Sequence, residues 1–320
     1  MTAIPKRDAL HGSPLHPNAA IQQEYAKAIM TLVRRMNDDT RRELQRVFSE
    51  SQFAAEAMDD DRMDDEVKSG TVASQARIAL AALLARYVPL FSQLARKATK
   101  RMMARSLKNS TVTLGLSLKQ MAPDVEIKIG GGSGSGGGGG KGGGPGASSF
   151  GAGRGASGFS GTGMTDRLQE IITASTAEAV SLIQSIPRQY LSNVQESVMR
   201  SIVSGGGHKE LVSALNDRYG KTIRQARNMA MDQTRKVYSN ITSHQMRDAG
   251  VTHYKWLHVG GSAHPRHLHV ELGERSKNGE IFSLDDPPYI GEMYGEPVYG
   301  GPGLLPNCRC LKIPVSKFGV

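Results

Sequence analysis

Apolar residues recur at helical spacing along most of this chain. Ile21, Tyr25, Ile29, Leu32, Val33 and Met36 fall on one face of a helix that starts near Asn18. Asn37 or Asp38 is expected to break or re-cap it. A second amphipathic run follows through Leu44, Val47 and Phe48. Residues 1–18, with Pro5, Pro14 and Pro17, show little periodicity and read as a loose arm. The most apolar stretch, Ile78 to Leu94, is interrupted by Arg86 and Pro89. As an apolar run it is too short to span a bilayer, so no membrane is expected.

The second half begins with a capping signal. Thr165 is predicted to N-cap a helix running through Ile186, with Asp166 and Glu170 in its first turns. Pro187 marks the next start, and that helix carries Tyr190, Val194 and Val198 before the glycines at 205–207. A third helix is expected from His208 or Lys209 to Tyr219, stopping at Gly220. The fourth runs from Thr222 to Ala249, with Ile223, Ala226, Ala230, Val237 and Ile241 as its buried stripe and Gly250 as its C′ residue. Beyond Val251 the period drops to two: Tyr254, Trp256 and His258 alternate, as do Arg309, Leu311, Ile313 and Val315.

Between these halves lies a different composition. Of the 37 glycines, 19 fall between Gly130 and Gly163, with serine and alanine among them. No apolar surface is available there to offset the entropy of ordering, so the tract reads as a flexible tether. The expected class is therefore α+β, in three parts. Residues 1–129 form a mostly helical N-terminal interaction region and residues 130–163 a Gly/Ser-rich flexible linker. Residues 164–320 form a helical bundle carrying a small C-terminal β-sheet.

Charge adds a candidate partner. The formal net charge of +10 favours an acidic one, such as nucleic acid. Asp59, Asp60, Asp61, Asp64, Asp65 and Glu66 form an acidic cluster that reads as a solvated connector. From Val67 to Pro123 there are ten Lys or Arg residues and no Asp or Glu. The dense part is Arg96, Lys97, Lys100, Arg101, Arg105 and Lys108. On a helix, Lys97, Arg101, Arg105 and Lys108 share a face. Such a stripe suits the phosphates of double-stranded DNA, or an acidic protein surface, including the acidic cluster upstream.

The chemistry concentrates near the C-terminus. The only tryptophan (Trp256), both cysteines (Cys308 and Cys310) and five of the nine histidines lie between residues 250 and 315. Two cysteines one residue apart make no disulfide framework, which points to a reducing compartment. His267-x-His269 and Cys308-x-Cys310 form a candidate four-ligand set for zinc, and His264 could replace either histidine. The competing reading is a pair of core cysteines beside surface histidines, with Trp256 as a core anchor. A metal-dependent nuclease or hydrolase built on this cluster is an alternative. It lacks an assignable general base, paired carboxylates, a nucleophile elbow and a phosphate loop. Non-enzymatic function is the expectation.

The long helix ARNMAMDQTRKVYSNITSHQMRDAG is followed by YKW, HPRHLH, NGEIFSLDDPP and a terminal PNCRC. In this order the motifs resemble the head-morphogenesis family of tailed bacteriophages, the minor head proteins related to the F protein of phage Mu. The resemblance covers about Arg188 to Val315. It implies a capsid-associated protein that works in head assembly alongside portal, major capsid or scaffold protein, contacting the portal vertex and/or packaged DNA. It also implies a place inside the phage head, and in the host cytoplasm during assembly. Many relatives carry CxxC where this chain has HPRHLH, followed by CxC. That comparison sets His269 near the second cysteine and Arg266 near the first. It also makes Val270 to Lys277 look like an insertion. A DNA-binding escort protein that needs no portal is a further alternative.

Overall fold

A computed structural model describes residues 9–57, 71–121, 165–204, 208–261 and 264–316. The glycine tract and the acidic cluster lie outside these residues. Four long helices form a bundle, α1 (Ala19–Ala57), α2 (Val72–Met121), α3 (Asp166–Val203) and α4 (His208–Asp248). At one end of the bundle sits an antiparallel sheet of β1 (Leu10–His11), β2 (His253–Leu257), β3 (Phe282–Ser283) and β6 (Leu311–Ser316), in the order β1-β6-β2-β3. A fifth helix, α5 (His267–Lys277), packs on β2. A separate hairpin, β4 (Tyr289–Met293) and β5 (Glu296–Tyr299), extends from the sheet end. The chain is α+β, as the change of period implied.

Three expected helix breaks are absent. α1 runs through Asn37 and Asp38. The polar residues there find partners on neighbouring helices: Tyr190 donates to Asn37 Oδ1 at 3.0 Å, and Tyr87 donates to Asp39 at 2.6 Å. α3 passes through Pro187, which is buried among Ile183, Ile186, Tyr190 and Leu191. The apolar contact there outweighs the one backbone hydrogen bond that proline removes. α4 likewise continues through Gly220, whose helix penalty is about 1 kcal/mol. The expected caps are present. Thr165 accepts from the Leu168 amide, and Gly250 adopts φ +75°. The Val251 amide reaches back to the Met246 carbonyl at 2.8 Å, closing α4.

Two apolar clusters divide the molecule. One fills the bundle with residues such as Ile29, Tyr87, Phe91, Tyr190 and Ile241. The other lies under the sheet and holds Leu15, Leu118, Met246, Tyr254, Trp256, Leu272, Cys308 and Cys310. Between them α2 and α4 share a polar layer. Ser110 meets Thr242 at 3.0 Å, Thr113 meets Tyr238 at 2.6 Å, and Gln245 donates to Thr111 at 2.8 Å. Satisfied pairs of this kind fix the register of the two helices. α2 is long and apolar enough, by length and composition, to cross a membrane, although its Ile78–Leu94 core is short. Here its Leu80, Leu83, Tyr87 and Phe91 are buried in the bundle.

The described part of the N-terminal arm is ordered against the sheet. Leu10 and His11 pair with Ser316 and Val315, and the Leu15 amide donates to the Lys312 carbonyl at 2.9 Å. Aperiodicity reflects an edge strand of two residues, too short to show a pattern.

Candidate metal centre

Three buried side chains converge beneath the sheet: His269, Cys308 and Cys310. Their ligand atoms all lie within 4.8 Å of one another. His269 stands in the first turn of α5, and the two cysteines close the loop that enters β6. Its Nδ1 is 3.5 Å from Cys308 Sγ and 3.8 Å from Cys310 Sγ. On the opposite edge of the ring, Nε2 donates to the Ile290 carbonyl at 3.1 Å. That bond places the proton on Nε2 and leaves the Nδ1 lone pair facing both sulfurs.

A fourth side chain lies beside this group. His258, the first residue after β2, brings its Nδ1 to 3.5 Å from Cys310 Sγ. It is half-buried and lines an open cavity of about 310 Å³ with His264, Arg266, His269 and the two cysteines. The cavity gives solvent and small ions a route to the cluster. α5 is set against His258 by Gly273, where an added Cβ would fall 2.7 Å from the His258 Cβ.

The loop around the cysteines is held from several sides. Asn307, at φ +59°, precedes Cys308, and its amide donates to Asp232 on α4 at 2.7 Å. The Gly303 amide donates to Cys308 Sγ at 3.3 Å. Lys312, next on β6, is buried and donates to the Ser239 carbonyl at 3.1 Å and to the Ser239 and Ser243 hydroxyls at 2.6 Å each. Burial pulls its ammonium down to about 7. The Cys308 thiol is also pulled down, to about 4, first by the hydrogen bond from Cys310 and then, against burial, by His269 and the Gly303 amide. That same bond, together with burial, pushes the Cys310 thiol up.

Trp256 is the wall of the site. Its ring meets His269 edge-on at 5.2 Å and Phe282 at 6.5 Å, and its backbone amide donates to Ser276 Oγ at 2.7 Å. Its indole Nε1 is buried without an acceptor among the described residues.

The residues picked out from sequence are distributed as follows. His269, Cys308 and Cys310 meet. His264 and His267 are exposed, His264 at the rim of the cavity and His267 at the first position of α5. The interval from Val270 to Lys277, read as an insertion, is the body of α5. His258 was not among the candidate ligands, although its alternation with Tyr254 and Trp256 put it on the face that carries the tryptophan. Asp232 and Lys312 were missed because their partners are 75 and 73 residues away in sequence.

The basic stripe of α2 is only partly available to a partner. Arg101 bonds Glu24 of α1 at 2.7 Å, and Arg105 bonds the same carboxylate. Lys97 lines the groove between these helices with them. Arg96, Lys97, Lys100 and Lys108 are exposed. Glu24 is the one acidic residue of the first periodic run, and only the packing of α1 on α2 brings it to the stripe.

Comparison with known proteins bears on the C-terminal half. A protein of Haemophilus influenzae (strain ATCC 51907 / DSM 11121 / KW20 / Rd), described as uncharacterized, is 32% identical over 148 residues. That alignment spans 46% of this chain and 30% of the relative's length. No solved structure matches the chain. Residues 192–313 match the family described as Phage Mu protein F like protein, and this segment holds His258, His269, Cys308, Cys310 and Trp256. The order of the motifs and the family match thus fall on the same segment, residues 192–313, which builds the site and is similar to the Phage Mu protein F like family.

Proposed function

We propose that this chain is a minor head protein of a tailed bacteriophage, a non-enzymatic component that assists head assembly beside the portal. The observation that carries this reading is the match of residues 192–313 to the Phage Mu F-like family. The fold is compatible with it. The helical bundle presents the long faces of α1 and α2, while the sheet end is tied by buried contacts. Copurification tests it. Tagged chain captured from assembling heads after nuclease treatment is expected to retain portal or scaffold protein. Capture of DNA before nuclease treatment, with no head protein after it, would instead support the escort role.

A DNA contact is a second reading, favoured by the exposed Arg96, Lys97, Lys100 and Lys108 on α2, a helix with no acidic residue. Binding of the full chain to duplex DNA should then weaken steeply with salt, with a slope of roughly 0.9 per phosphate contact. No retardation of duplex DNA at low salt would remove this reading.

A further inference from the structure

We infer that His258, His269, Cys308 and Cys310 form a closed tetrahedral site for a structural zinc ion, with His258 in the fourth position. This inference is independent of the head-protein reading. Zinc bonds of about 2.3 Å to sulfur and about 2.0 Å to nitrogen, set at tetrahedral angles, place each N···S edge at about 3.6 Å. Three of these edges are present, at 3.5, 3.8 and 3.5 Å. These three edges match a zinc tetrahedron; His258 stands outside the group of three whose ligand atoms all lie within 4.8 Å, so its side chain swings inward to take the fourth position.

Thiol-to-imidazole hydrogen bonds have similar lengths, so the pattern of contacts has to decide. His269 Nδ1 faces both sulfurs, whereas one lone pair accepts one S–H at a time. A cation held between His269 and the two cysteines accounts for the shared approach. The surroundings are those of a ligating pair. The far edge of His269 is fixed by the Ile290 carbonyl, which orients the ring and raises the donor strength of Nδ1. The Gly303 amide points at Cys308 Sγ, so a thiolate there has a backbone donor. Two thiolates and two neutral imidazoles leave a zinc complex of zero net charge, which a buried site tolerates.

His258 is chosen over His264 and His267 on position. It leaves β2 directly beside Cys310, and the absence of a side chain at Gly273 lets α5 close on it. All four protein ligands are then used, which makes the site structural, with no open position for catalysis. Its role is to pin the end of β2, the start of α5 and the loop before β6 to one point.

The full chain, purified without chelator or histidine tag, is expected to carry about one zinc per chain by elemental analysis. Replacing zinc with cobalt(II) should give intense visible bands of a tetrahedral ion and near-ultraviolet charge transfer from two thiolates. His258→Ala should lower zinc affinity by at least about tenfold, more than the loss of an orienting residue, while His264→Ala and His267→Ala leave it unchanged. Gly273→Ala, which pushes on His258, should weaken binding in the same direction. Less than about 0.2 zinc per chain after loading with zinc chloride would overturn the site. A cobalt spectrum without thiolate charge transfer would do the same with no variant needed. Equal zinc affinity in wild type and His258→Ala would overturn the assignment of the fourth ligand.

Discussion

Asp39 gives the sharpest test of how the bundle is held together. Its carboxylate is 7% exposed and lies where α1 meets α2. It accepts the Tyr87 hydroxyl at 2.6 Å and Arg86 Nη1 at 3.0 Å, and it also pairs with Arg42. The arginine side chains are 53% and 75% exposed, so each ion pair contributes at most about 1 kcal/mol. The Tyr87 bond is charge-assisted and buried, worth about 1.5–3 kcal/mol. Asp39→Asn keeps the shape and an acceptor for Tyr87 but loses the charge, so a loss of about 2 kcal/mol is expected at neutral pH. Burial raises the carboxyl, but Tyr87, Arg42 and Arg86 together hold it below 3.8. A depressed folded value means the contribution is present above the ordinary carboxylate range and lost as pH falls through the folded value. Burial and Asp39 push the Tyr87 phenol up to about 12, so it remains a donor throughout this window. Urea unfolding of wild type, Asp39→Asn, Tyr87→Phe and the double variant should show a coupling of about 1–2 kcal/mol at pH 7 that fades toward acid. Additivity within about 0.3 kcal/mol at pH 7, or a coupling that grows in acid, would refute the reasoning.

Other changes have equally definite outcomes. Gly250→Ala meets no atom within 4 Å but must hold φ at +75°, so a loss of about 1 kcal/mol is expected in urea unfolding. Thr165→Ala removes the cap of α3 and a 2.6 Å contact with His244; a cost of about 1 kcal/mol is expected by the same assay. Glu24→Gln releases Arg101 and Arg105 from their shared carboxylate. If α2 contacts DNA, the salt slope of binding should steepen by about 1 to 2, and an unchanged slope would exclude these two arginines from the contact.

Local signals are legible in the sequence and long-range ones are not. Thr165 and Gly250 are legible as caps because the partners of a cap lie within five residues. Pro187 and Gly220 look like breaks because their cost is fixed locally while the compensation comes from the packed bundle. Arg101 and Arg105 looked like part of an open stripe; their partner Glu24 is 77 and 81 residues away. The cysteine pair and His269 were visible as chemistry from residue type alone. The place of His258 depends on how α5 closes on β2, and the sequence carries no α5 signal strong enough to place it. The arm at residues 9–17 is shaped by β6, whose paired residues lie just over three hundred positions later.

The central claim is that this chain is a component of phage heads. Quantitative mass spectrometry of gradient-purified particles, treated with protease before lysis, tests it most directly. The account predicts the chain in the particle fraction, protected from protease and present in few copies relative to the major capsid protein. Finding it only in the soluble fraction of the lysate, with heads assembled and free of it, would contradict the account.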